Sequence, residues 1–125
     1  MFRAVVVGHG EFAAGLVSAV RGICGLEERF VALSNQDFPS DRLEERLREE
    51  IAGRDVRVVF TDLPAGSAAM AARRVSRDNP HLIIVTGTNL AVLLEFALSS
   101  AESPLDAARA AAEKGRASIS LLGLR

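Results

Sequence analysis

Residues 4–10 read Ala4-Val5-Val6-Val7-Gly8-His9-Gly10, and this stretch decides the fold. Four consecutive apolar residues, three of them β-branched, offer no face to solvent, as expected of a strand buried on both sides. Strands of that kind belong to parallel sheets covered by helices. The glycines on either side of His9 then end the strand in a tight loop. Just downstream, Phe12, Leu16, Val20 and Ile23 recur at helical spacing, and the helix they define stops within residues 22–25, bounded by Gly22 and Gly25.

The alternation continues along the chain. Residues 29–33 are expected to form a second strand, followed by a turn and helix cap at Pro39-Ser40. Leu43, Leu47 and Ile51 make one apolar stripe, and the charges around it are a solvated face braced by Glu44 and Arg48 at i,i+4 spacing. Residues 56–61 are the third strand, leading through Asp62-Leu63-Pro64-Ala65-Gly66-Ser67 into an alanine-rich helix in which Met70 is read as core. Residues 82–86 are the fourth strand. Gly87-Thr88-Asn89 follows, with Asn89 capping an almost wholly apolar helix over 90–98 that is buried on several sides or meets a partner subunit. Ser103-Pro104 opens a last helix to about Gly115, and residues 118–122 are a candidate final strand. Strands separated by helices of this length pair in parallel. The fold class is therefore α/β, a doubly wound, mainly parallel open sheet of flavodoxin-like βα repeats.

The composition bounds the function. At 125 residues, 49% apolar and 25% charged, the chain suits a single domain over 1–125 with its own core. A net charge of -1 gives no sign of a nucleic-acid partner. Cys24 is the only cysteine, which excludes an internal disulfide and a thiolate metal cluster, and it reads as a small buried hydrophobe. The opening apolar run is too short for a secretory signal or a membrane span, so a cytoplasmic location is expected, with no metal and no cofactor.

In an open parallel sheet ligands bind beyond the carboxyl ends of the strands, where the strand order switches. Three loops leave those ends carrying small and polar residues, and they bring His9, Asp62, Ser67 and Thr88 to one rim. Histidine can be a neutral nucleophile near pH 7. One ring nitrogen must be free and the other fixed by an acceptor, a task Asp62 can perform. Gly8 and Gly10 are expected to keep the approach to the ring uncrowded. Amides around Gly66, Ser67 and Ala68, with the Ser67 hydroxyl, can hold an anion at a helix N-terminus. Gly10, Thr88 and Asn89 are further rim candidates. Ser67 and Asn89 also suit ordinary helix caps, and His81, at the amino end of the fourth strand, reads as structural.

The segments Val7-Gly8-His9-Gly10-Glu11-Phe12, Asp62-Leu63-Pro64-Ala65-Gly66-Ser67 and Gly87-Thr88-Asn89-Leu90 together resemble the IIA components of the mannose/fructose/N-acetylgalactosamine-type sugar phosphotransferase system. The resemblance implies a phosphotransferase that carries phosphohistidine: His9 takes a phosphoryl group from HPr and passes it to a IIB component. Asp62 would hold the imidazole, and Ser67 with nearby amides the phosphoryl oxygens. It also implies a homodimer exchanging its last, antiparallel strand, and an indirect link to membrane IIC and IID components. With the chain ending at Arg125, no fused IIB domain is expected. Ala65 stands where that family usually has glycine and Ala68 where it usually has proline, while Pro64 removes one amide donor.

Three other destinations fit parts of the pattern. The phosphotransfer subunit of dihydroxyacetone kinase shares the fold and an early histidine. A regulatory phosphocarrier would use the same chemistry without transport. A Rossmann-like nucleotide-binding module matches Gly8-x-Gly10-x-x-Ala13, but it would need an acid at the end of the second strand, where Ser34-Asn35 stands.

Overall fold

A computed structural model describes residues 2–123. Its elements run β1 (Arg3–Gly8), α1 (Phe12–Cys24), a 3-10 turn (Glu27–Arg29), β2 (Phe30–Ser34), α2 (Ser40–Arg54), β3 (Val56–Thr61), α3 (Ser67–Ser76), β4 (Ile83–Val85), α4 (Leu90–Leu98) and α5 (Pro104–Ala117). The four strands are all parallel, in the order β2-β1-β3-β4.

β1 is central, and residues 4–7 are completely buried. Successive side chains point to opposite faces of the sheet. Ala4 and Val6 join one core with α1, α4 and α5, while Val5 and Val7 join another with α2 and α3. Both faces are apolar, so the run is continuous. Between β1 and β3 the register passes from Arg3–Val56 to Ala4–Val58, leaving Arg57 as an extra residue. That bulge lets Val56 and Val59 share one face although they are three apart. The first core centres on Phe30, Phe60 and Phe96, whose ring centroids lie 5.1–6.3 Å apart. Burying one such ring contributes about 1.5–3 kcal/mol.

Several expectations change in detail. Met70 is 47% exposed on α3 and is not core. The buried face of that helix is made by Ala68, Ala69, Ala71, Ala72 and Val75. Cys24 is half-buried at the edge of the first core. α2 begins at Ser40 with Pro39 in the cap position, and the Ser40 side chain lies outside the described residues. β4 is shorter than its apolar run and forms an edge of the sheet. Residues 118–123 form no strand within the single chain, because α5 continues to Ala117 and the tail beyond it is exposed.

The strand order places the site. The chain passes from β1 outward to β2, then returns to lay β3 on the other side of β1. The loops leaving β1 and β3 therefore diverge at the carboxyl edge and open a crevice between them. His9 follows one strand and Asp62 the other.

Candidate functional site

His9 and Asp62, 53 residues apart in sequence, meet in that crevice. His9 Nδ1 lies 2.7 Å from Asp62 Oδ2, and the same oxygen accepts the His9 backbone N–H at 2.9 Å. Asp62 Oδ1 accepts the Leu63 N–H at 2.9 Å. The carboxylate is thus held by three donors, with its side chain 11% exposed beside an imidazole that is 56% exposed. Partial burial raises the Asp62 pKa. The hydrogen bond from the His9 ring, the two backbone N–H bonds and the charge of the ring outweigh that, so the carboxyl lies below its ordinary value. The lowered pKa keeps Asp62 ionised at neutral pH, an acceptor for Nδ1–H, and among the described residues no hydrogen-bond partner engages Nε2.

Three glycines shape this arrangement. A methyl on Gly8 would lie 2.9 Å from the Asp62 carboxylate and 2.7 Å from the Phe12 ring. Gly8 therefore makes room for the carboxylate, not for approach to the imidazole. Gly10 has φ 53° and open space around it, so its part is to turn the backbone into α1. On the other side Gly66 adopts φ 117° and ψ -180°, a conformation essentially confined to glycine. A Cβ there would sit 3.7 Å from His9 Cε1, so the backbone entering α3 passes beside the ring. Ala65 does not have positive φ, and alanine is unstrained there in that respect.

The first bond of α3 runs from the Met70 N–H to the Gly66 carbonyl at 3.0 Å. The amides of Ser67, Ala68 and Ala69 precede it and point out of the helix start, where an anion is favoured. Ala68 supplies an N–H that a proline in its place would lack. Ser67 is the first helical residue and Gly66 the cap, so Ser67 does not cap α3. Its hydroxyl instead accepts a bond from Asn35 Nδ2 at 2.9 Å. The loop between β3 and α3 is braced by the elements that flank it, with Thr61 Oγ1 donating to the Leu63 carbonyl at 3.0 Å and Arg73 reaching the Pro64 carbonyl at 3.4 Å.

Thr88 and Asn89 are turned to other uses. Thr88 is buried, with its N–H on the Thr61 carbonyl at 3.1 Å and its hydroxyl on the Val85 carbonyl at 3.5 Å. Asn89 caps α4 by accepting the Val92 N–H at 3.1 Å, while its Nδ2 donates to the Gly115 carbonyl at 3.1 Å. His81 is exposed ahead of β4, at the opposite end of the sheet. Asn35 is the residue that sequence reasoning passed over. The available signal is its place directly after the second strand, at the carboxyl edge where polar side chains reach the site. The Asp62 carboxylate against Gly8 also counts against a dinucleotide, because it sets a negative charge where the pyrophosphate would approach.

Comparison with known proteins agrees with this fold. The family model described as PTS system fructose IIA component matches residues 3–113. The phosphotransferase system component EIIA of Streptococcus agalactiae superposes with TM-score 0.86 at 25% identity, over 96% of each chain. The mannose/sorbose-specific IIA subunit of Enterococcus faecalis gives 0.83 at 22% identity, over 99% of this chain and 96% of that one. The PTS IIA protein associated with the fucose utilization operon of Streptococcus pneumoniae gives 0.75 at 21%, over 97% and 94%. Comparison with curated proteins found no match.

Proposed function

This chain belongs to the family of PTS fructose IIA components, and from that premise we propose that it is a phosphoryl carrier, with His9 Nε2 as the acceptor. One observation carries the reading: Nδ1 is engaged by Asp62 at 2.7 Å, while the half-exposed ring presents its other nitrogen beside the start of α3. In the transfer, the Nε2 lone pair attacks the phosphorus of phosphohistidine on HPr. The P–N bond of the donor breaks, and its electron pair returns to the donor imidazole. Positive charge develops on the His9 ring as the new P–N bond forms, and the adjacent Asp62 carboxylate stabilises it. The free amides of Ser67, Ala68 and Ala69 and the Ser67 hydroxyl stand ready for the phosphoryl oxygens. Passage to a IIB component is the same reaction run outward. Positioning and charge suffice for such chemistry.

A homodimer completes the proposal. β4 has an open edge, and the tail beyond α5 carries Ile119, Leu121 and Leu122 at 76%, 80% and 87% exposure. A strand exchanged between two copies would pair the first and cover the second. Among the described residues, no helix is long and apolar enough to cross a membrane, so the link to IIC and IID components would run through IIB.

The test is incubation with phosphoenolpyruvate, enzyme I and HPr, followed by intact and native mass measurement. The expected result is one acid-labile phosphoryl group per chain, lost in His9→Ala and kept in His81→Ala, on a species of twice the chain mass. A label retained in His9→Ala places the acceptor elsewhere, and a monomer removes the dimer.

A further inference from the structure

We propose that Asn35, at the carboxyl end of β2, is a positioning residue that aims the Ser67 hydroxyl at the phosphoryl group on His9. The inference rests on the carrier reading above and adds a residue to it. Asn35 is itself firmly placed. Its backbone N–H donates to the carbonyl of Gly8, the last residue of β1, at 3.0 Å. The turn after it is closed by the Asp37 N–H on the Ser34 carbonyl at 3.2 Å and by the Gln36 N–H on Ser34 Oγ at 3.2 Å.

From that anchor the side chain reaches 32 residues along the chain, and Nδ2 donates to Ser67 Oγ at 2.9 Å in a part-buried setting. A hydroxyl has one proton and two lone pairs. Donation from Asn35 uses a lone pair on the Asn35 side and directs the proton away from it. Among the described residues that proton has no acceptor. Ser67 follows Gly66, whose backbone borders the His9 ring, and on this proposal the unused proton goes to a phosphoryl group carried on Nε2. An oxygen that accepts one bond becomes a better donor in the next, and a donor already oriented costs no reorganisation when charge arrives. Because the same backbone bond ties Asn35 to the residue before His9, the donor and the nucleophile share one frame.

The test is a mutant cycle on the rate of transfer from phosphorylated HPr, using wild type, Asn35→Ala, Ser67→Ala and the double variant. Asn35→Ala is expected to lower the maximal rate roughly tenfold, the scale of one well-placed hydrogen bond, with the half-saturating HPr concentration unchanged. In the Ser67→Ala background it is expected to cost nothing further, because the group it orients is gone. An equal loss in both backgrounds would overturn the proposal, as would a change confined to half-saturation. Should Asn35→Ala fail to fold, the isosteric Asn35→Asp enters the same cycle, and the part of its loss that vanishes with Ser67 is the readout. If wild type accepts no phosphoryl group, the carrier reading falls. If wild type accepts it and Asn35→Ala keeps the full rate, only the present inference falls.

Discussion

The loops that follow β3 and β4 are built from the same kinds of residue and do opposite things. Asp62 to Ser67 and Gly87 to Asn89 both leave the carboxyl edge of the sheet carrying glycine, a hydroxyl and a carboxylate or amide. In the first loop, Asp62 accepts three bonds from His9 and Leu63, yet among the described residues Nε2, the Ser67 hydroxyl proton and the amides that open α3 have no partner. In the second loop nearly every polar group is consumed inside the protein, by Thr61, Val85, Val92 and Gly115. Residue type alone does not distinguish a ligand site from a structural latch. What distinguishes them is whether the partners are supplied by the chain itself.

The sharpest way to break this contrast is to substitute one residue of each loop system and read transfer and stability together. Asp62→Asn keeps the shape of the first loop but removes the charge beside the ring. Phosphoryl transfer is expected to fall about 10²-fold, the scale of losing one preformed electrostatic contact, with the fold intact and a small fall in melting temperature at neutral pH. Transfer at the wild-type rate would remove Asp62 from the mechanism.

Gly115→Ala acts on the second system. The added methyl would overlap Val92 Cγ2, and it would lie 3.1 Å from Asn89 Oδ1, wedging α5 away from α4. Overpacking of that kind costs roughly 1–3 kcal/mol, expected as a fall of several degrees in melting temperature. Transfer per folded molecule should stay normal. A variant with wild-type stability and impaired transfer would show that the latch belongs to the site after all.

The smallest effect is in acid. Because the Asp62 carboxyl lies below its ordinary value, its stabilisation is present above the unfolded carboxyl range near pH ~4. It is lost as pH falls through the lower, folded value. The difference in melting temperature between wild type and Asp62→Asn should therefore shrink on acidification below pH ~4. A gap that is constant with pH would mean that the pair contributes through shape alone.

Much of this was legible in the residues. The four-residue apolar run predicted a strand buried on both faces, and β1 is one. Ser103 and Asn89 were read as caps and are caps, because a short polar side chain before an apolar helix answers to local geometry. The same rule misplaced Ser67, since Gly66 with its positive φ begins the helix one residue earlier and releases the serine for Asn35. Met70 was misread for a related reason. In a helix of alanines the small residues make the close face against the sheet, and the long side chain is left outside.

By itself the sequence determined the five helices and the four strands of the sheet, the parallel pairing of those strands and the edge at which polar loops collect, but not the fate of residues 118–122. Those follow from periodicity, turn chemistry and the length of the crossovers, all of which act over a few residues. Only the tertiary structure decided which loops meet. Placing β3 rather than β2 on the far side of β1 brings Asp62 to His9 and Asn35 to Ser67, and packing α5 on α4 draws Asn89 away. Such pairings span 26 to 53 residues, and no local pattern encodes them. They are settled by how the two cores fill on either face of the sheet.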